Sequence, residues 1–60
     1  MLITLFNARV ALRMNSGDFY IYDEVTAIII DGDSVKLKIK NKRESGVFAI
    51  SLIRDCEIYY

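Results

Sequence analysis

The stretch Thr26-Ala27-Ile28-Ile29-Ile30-Asp31-Gly32-Asp33-Ser34-Val35-Lys36-Leu37-Lys38-Ile39-Lys40 decides the fold. In its second half Val35, Leu37 and Ile39 alternate with Lys36, Lys38 and Lys40. A period of two marks a half-buried strand, because successive side chains of an extended chain leave opposite faces. Gly32-Asp33 stands where a two-residue hairpin loop belongs. That loop sets Ile30 opposite Val35, Ile28 opposite Leu37 and Thr26 opposite Ile39, with the apolar residues on one face. A one-residue slip would turn one apolar set to solvent, so the pattern specifies the register.

The same period runs outward in both directions. Val10, Leu12 and Met14 alternate with Arg9, Ala11 and Arg13, and Phe19 and Ile21 alternate with Tyr20 and Tyr22. Taking Ser16-Gly17 as another two-residue loop predicts Met14 opposite Phe19, Leu12 opposite Ile21, Arg13 opposite Tyr20 and Arg9 opposite Glu24. Towards the C-terminus, Asn41 to Gly46 reads as a polar loop and Val47 to Ile50 as a strand. Residues 51–55 read as one 3₁₀ turn with Ser51 as its cap, and Cys56 to Tyr60 as a last short strand. Nine isoleucines and four valines favour extended backbone, since branching at Cβ restricts χ1 in helices. The expected fold is one all-β domain over residues 1–60. It is a five- or six-stranded antiparallel meander or barrel, SH3-like or Sm-like.

Sixty residues bury only about 60% of their unfolded surface, so a single core gives marginal stability. The chain is 53% apolar, with eight basic and eight acidic side chains, one cysteine and no histidine, proline or tryptophan. The lone Cys56 cannot form an internal disulfide, and an ordinary zinc site lacks its histidines. Hydropathy this high with no net charge excludes disorder and removes any global pull towards nucleic acid or anionic membrane. Met1 to Phe6 is apolar but has no basic flank or cleavage site, and falls far short of the ~20 residues of a membrane span. The expectation is a complete cytoplasmic chain without membrane contact.

Thirty-two apolar residues exceed what so small a barrel hides. Ile29 points away from the face that buries Ile28 and Ile30, and residues 1–6 are apolar on both faces. Self-association through Leu2, Ile3, Leu5, Phe6 and Ile29 is the expected remedy, as a homo-oligomer.

Catalysis is not expected. Histidine, the commonest acid–base group at neutral pH, is absent. Cys56 has no neighbour in sequence to hold a thiolate and reads as a small buried hydrophobe. Asp31-Gly32-Asp33 lacks the further oxygen ligands of a calcium loop and reads as a turn. Three glycines make no phosphate-binding loop, and nothing calls for a cofactor or a metal.

Charge placement says more than net charge. Residues 14–35 hold five acids (Asp18, Asp23, Glu24, Asp31, Asp33) and no base, whereas 36–43 hold Lys36, Lys38, Lys40, Lys42 and Arg43 and no acid. The alternating lysines form a row about 7 Å apart, suited to a nucleic-acid backbone or to keeping an edge strand unpaired. A second surface gathers Arg9, Arg13, Tyr20 and Tyr22 on the outward face of the first hairpin. Arginine and tyrosine anchor protein–protein hot spots, and the nearby acids Asp18, Asp23 and Glu24 repel phosphate.

Met1-Leu2-Ile3, Ile21-Tyr22-Asp23-Glu24-Val25-Thr26 and Val35-Lys36-Leu37-Lys38-Ile39 resemble segments of the Csr/Rsm translational repressors. That resemblance implies a swapped β dimer that binds RNA hairpins. The chain departs from it at Leu5-Phe6-Asn7, at about seven residues inserted before Asp18, and at Ala49-Ile50-Ser51 where that family carries RNA-binding arginine. Leu12-Arg13-Met14-Asn15-Ser16-Gly17 with Val25, Ile28, Asp31 and Val35-Lys36-Leu37 is similar to a first Sm motif, and Phe48-Ala49-Ile50-Ser51 to a second. The N-terminal helix and basic RNA-binding dipeptide of bacterial Sm-like proteins are missing. Both resemblances share the alternation of any small β meander and assign no family.

The functional expectation is a non-enzymatic protein-binding module. A small regulator, or a phage-type inhibitor that masks or bridges a host protein, suits such a chain. The alternatives are an RNA- or single-stranded-DNA-binding barrel using the 36–43 basic strand, and a structural subunit of a larger assembly.

Overall fold

The computed structural model describes residues 1–42 and 46–60. It comprises β1 (Leu2–Met14), β2 (Phe19–Asp31), β3 (Ser34–Ile39), β4 (Val47–Ala49), a 3₁₀ turn (Ile50–Leu52) and β5 (Ile53–Tyr59). The strands form one antiparallel sheet in the order β4-β3-β2-β1-β5, curled into a half-barrel. The all-β, barrel-like expectation is met, with five strands among the described residues.

Length dictates the curl. A straight 13-residue strand would run about 43 Å at ~3.3 Å per residue. The molecule is only 29 Å in its longest dimension, so β1 and β2 must both bend. They bend where the pairing register shifts, between Thr4 and Ala8 and between Ala8 and Val10. Asn7 (φ 50°) and Glu24 (φ 57°) occupy the left-handed region at these bulges. Asparagine adopts that conformation readily, glutamate much less so. The Glu24 carbonyl accepts the Lys40 N–H at 2.9 Å, which ties the bulge to the end of β3.

The bulges also re-phase the side chains. Ile3 and Leu5 face inward before Asn7, and Ala8, Val10, Leu12 and Met14 after it. With Val25, Ile28, Val35 and Leu37 they form the core, where Leu12, Leu37, Val10 and Val25 are fully buried. The second hairpin has the expected register from Asp31–Ser34 to Ala27–Lys38, with Gly32 at φ 59° as the first loop residue. Beyond Ala27 a bulge sets Val25, not Thr26, opposite Ile39.

The first hairpin differs from expectation by one residue. Arg13 pairs with Phe19, Leu12 with Tyr20, Ala11 with Ile21 and Val10 with Tyr22. The loop is Asn15-Ser16-Gly17. The Gly17 N–H bonds the Met14 carbonyl (3.0 Å), and the Met14 N–H bonds the Asp18 carbonyl (2.9 Å). Gly17 at φ 95° completes a three-residue loop of the turn-plus-bulge type. The extra loop residue turns Tyr20 and Tyr22 inward, against Phe48 of β4, and Phe19 and Ile21 outward.

The C-terminal segment differs too. The 3₁₀ turn spans Ile50–Leu52 rather than 51–55, and β5 begins at Ile53. Ser51 lies inside the turn, whose cap position is Ala49 without a side-chain cap bond. Asp33, from the β2–β3 loop, supplies the missing acceptors. Its carbonyl takes the Ile50 N–H (2.8 Å), and its carboxylate takes the Ser51 N–H and hydroxyl (both 3.0 Å). From the other hairpin, the Asn15 N–H bonds the Leu52 carbonyl (2.8 Å) and its side-chain amide bonds the Ser51 carbonyl (3.0 Å). The 3₁₀ turn thus ties together the loops at both ends of β2.

Candidate functional site

The outward face of β2, β1 and β5 carries an exposed depression lined by apolar and charged side chains. At its centre Ala11 lies between Ile21 of β2 and Glu57 of β5. Its methyl group is the smallest side chain in that row, so it floors a depression walled by Arg9, Phe19, Ile21, Asp23, Tyr59 and Tyr60. Phe19 and Ile21 are 52% and 54% exposed, and Tyr59 49%. Both arginines are held by neighbours. The Arg13 guanidinium carbon sits 5.8 Å from the centroid of the Phe19 ring, over its face. The Arg9 Nε donates to the Asp23 carboxylate at 2.6 Å, not to Glu24. Exposed contacts of this kind add little stability, at most ~1 kcal/mol each, but they fix where the guanidinium groups stand. Asp23, Asp55 and Glu57 give the rim a negative component.

Of the four residues expected to share this face, Arg9 and Arg13 lie on it and Tyr20 and Tyr22 do not. The tyrosines face inward, with Tyr20 5.4 Å and Tyr22 6.0 Å from Phe48 between ring centroids. Phe19, Ile21 and Tyr59 take their place. Their signal was present in the sequence at Ser16: a two-residue type I′ loop needs positive φ at both residues, which serine resists, whereas a three-residue loop needs it only at Gly17.

On the outward face of β3, Lys36 stands opposite Ile29 and Lys38 opposite Ala27. Lys40 and Lys42 follow beyond the end of the strand and line the same depression with Thr26 and Asn41. Among the described residues no carboxylate lies within salt-bridge distance of these four lysines. Arg43, grouped with them from the sequence, lies outside the described residues. Of the residues expected to self-associate, Leu2 and Phe6 are exposed on the outward face, Ile3 and Leu5 face inward, and Ile29 is half-buried between Leu2 and Lys36.

Cys56 sits opposite Leu12 on the inner face, beside Ile58, as its alternation implied. It is exposed rather than buried, because the half-barrel is open along β5. The apolar lining around it still withdraws water, and this desolvation pushes the thiol above its ordinary value. Among the described residues no three histidine, cysteine, aspartate or glutamate side chains gather into a metal-binding cluster, and no helix is long and apolar enough to cross a membrane. The chain matches no family model, no curated protein and no solved structure.

Proposed function

We propose that this protein is a non-enzymatic binding module that takes a protein partner on the outward face of β1, β2 and β5, and acts by masking or bridging it. The observation that carries this reading is the exposed apolar cluster of Phe19, Ile21 and Tyr59 around the Ala11 floor, framed by the oriented Arg9 and Arg13. Contiguous exposed apolar surface with a polar rim marks interaction sites, and large side chains with arginine dominate their energetics. The acids Asp23, Asp55 and Glu57 on the rim disfavour a polyanionic ligand and suit a partner with basic groups around an apolar anchor.

The second reading is nucleic-acid binding through Lys36, Lys38, Lys40 and Lys42, favoured by their shared depression and the lack of described acidic partners. One experiment separates the two. The tagged protein captures ligands from a lysate of the cells that express it, with and without nuclease, beside Ile21→Lys and Lys36→Glu/Lys38→Glu variants. A protein retained after nuclease by the parent and the lysine variant, but lost by Ile21→Lys, supports the first reading. The loss expected is about 2 kcal/mol or more, as at other hot spots. Capture that vanishes with nuclease and with the lysine variant transfers the function to the basic face. A protein held equally by all three sinks both surfaces.

A further inference from the structure

We propose that two copies of this chain pair edge to edge through the first half of β1, antiparallel, with Thr4 on the two-fold axis. The inference does not rest on the partner face above, which lies elsewhere on the sheet.

β5 covers the far edge of β1 only from Arg9 to Met14. Among the described residues nothing pairs with that edge from Leu2 to Ala8. An open edge presents unpaired N–H and C=O groups, and proteins guard such edges with charge, shortness or cover. The other open edges carry guards: β4 is three residues long, β5 carries Arg54, Asp55 and Glu57, and the part of β2 that β3 leaves unpaired, Phe19 to Glu24, carries Asp23 and Glu24. Residues 1–8, Met-Leu-Ile-Thr-Leu-Phe-Asn-Ala, contain no charged side chain. Leu2 is 65% and Phe6 84% exposed.

Hydrogen-bond parity fixes how a second copy fits. The Met1 amine donates to the Ile30 carbonyl (2.7 Å) and the Ile30 N–H to the Met1 carbonyl (2.8 Å), so these two form a hydrogen-bonded pair. Such pairs alternate in an antiparallel ladder, which makes Ile3–Ile28 the next. The amides of Leu2 and Thr4 therefore point to the open edge, and the unbroken alternation of outward and inward side chains through Leu5 carries the same parity to Phe6. A two-fold pairing that uses all three must centre on Thr4. Thr4 then meets Thr4 of the second copy, and each Leu2 meets the Phe6 of the other copy. This gives about six N–H···O bonds, at two per bonded pair. The same register brings the exposed Leu2 and Phe6 together on the outward face and sets Ile3 beside Leu5 on the inward one. Centring on Ile3 or Leu5 would aim the amides of the pair at β2. β5 and the second copy then share the edge of β1 without overlap.

Area sets the strength. At about 200 Å² for a large side chain, Leu2 and Phe6 together expose roughly 300 Å² per copy. With the strand backbone this stays below the ~1,200 Å² of a standard interface, so the dimer is weak. It should be dissociated near ~1 μM and assembled near ~1 mM.

Sedimentation equilibrium across that range tests it. The parent should pass from monomer to dimer mass. Thr4→Lys, which sets two ammonium groups face to face on the axis, should weaken the dimer about tenfold or more, while Lys36→Glu leaves it unchanged. In a Cys56→Ser background, Thr4→Cys should form a disulfide on mild oxidation, since facing residues of a bonded pair lie ~5.5 Å apart at Cα. Leu2→Cys should not, because the two copies of residue 2 lie about 13 Å apart along the strands. A chain still monomeric near ~1 mM, a dimer indifferent to Thr4→Lys, or cross-linking at residue 2 in place of residue 4 would each overturn the proposal.

Discussion

The clasp between Asp33 and the 3₁₀ turn should hold the half-barrel's curl, and Asp33→Ala measures it. The substitution removes both bonds that the carboxylate accepts from Ser51 and leaves the bond from the Ile50 N–H to the residue 33 carbonyl. Bonds to a charged group contribute ~1.5–3 kcal/mol each at best, but both partners here are exposed, so that sum overstates the loss. Removing a side-chain N-cap is the nearest physical analogue and costs ~0.5–2 kcal/mol. The expected destabilisation is therefore about 1–2 kcal/mol. For a domain of this size that lowers Tm by about 5–15 °C. Asp33→Asn keeps an acceptor for the Ser51 N–H and should fall between parent and alanine variant. Urea and thermal unfolding of the parent, Asp33→Ala, Ser51→Ala and the double variant, followed by far-UV circular dichroism, close a double-mutant cycle. The coupling energy should be about 0.5–1 kcal/mol. An Asp33→Ala loss under about 0.3 kcal/mol, or strictly additive single effects, would refute the clasp.

The facing of the first hairpin is tested by a pair of variants. Ile21→Lys should cost under about 0.5 kcal/mol, and Tyr22→Lys, which removes the Phe48 contact, about 2 kcal/mol; the reverse order in urea unfolding would restore the two-residue loop. Cys56, although exposed, should alkylate more slowly than a free thiol near neutral pH, because its raised pKa leaves less thiolate. The folded state holds that proton more tightly than the unfolded chain, so the contribution is present below the ordinary thiol range and is lost as pH rises through the folded value. Stability that rises with alkalinity in the parent relative to Cys56→Ser would contradict this.

Where local chemistry and hydrophobic pattern agreed, the sequence was readable. Gly32-Asp33 and the lysine alternation placed β2 against β3 correctly as far as Ala27–Lys38, since both demanded one register. The bulges were harder to read. Phe6-Asn7 and Asp23-Glu24 interrupt the period of two, but only the mismatch between strand length and the 29 Å molecule shows that both strands must bend there. The clasp was invisible because Asp33 and Ser51 stand 18 residues apart and meet only after the sheet has curled. Cys56 was misread because alternation shows which way a side chain points, and not whether anything covers it.

The misreading of Tyr20 and Tyr22 follows from the same contest of forces, and it bears on function. Apolar ranking alone would bury Phe19 and Ile21 and leave the two tyrosines to solvent, as a two-residue loop allows. Asn15-Ser16-Gly17 closes instead as a three-residue loop in which only Gly17 takes positive φ, and this gives the opposite facing. Phe48 then packs against the tyrosine rings, so the β2 end of the inward face is covered without Phe19 or Ile21. The apolar pair is left outside beside Arg13, at a cost in exposed surface that a polar residue at either position would avoid. A surface residue that works against its own burial, in a chain otherwise consistent between turn, strand and core, is what the proposed protein-binding role requires of this face.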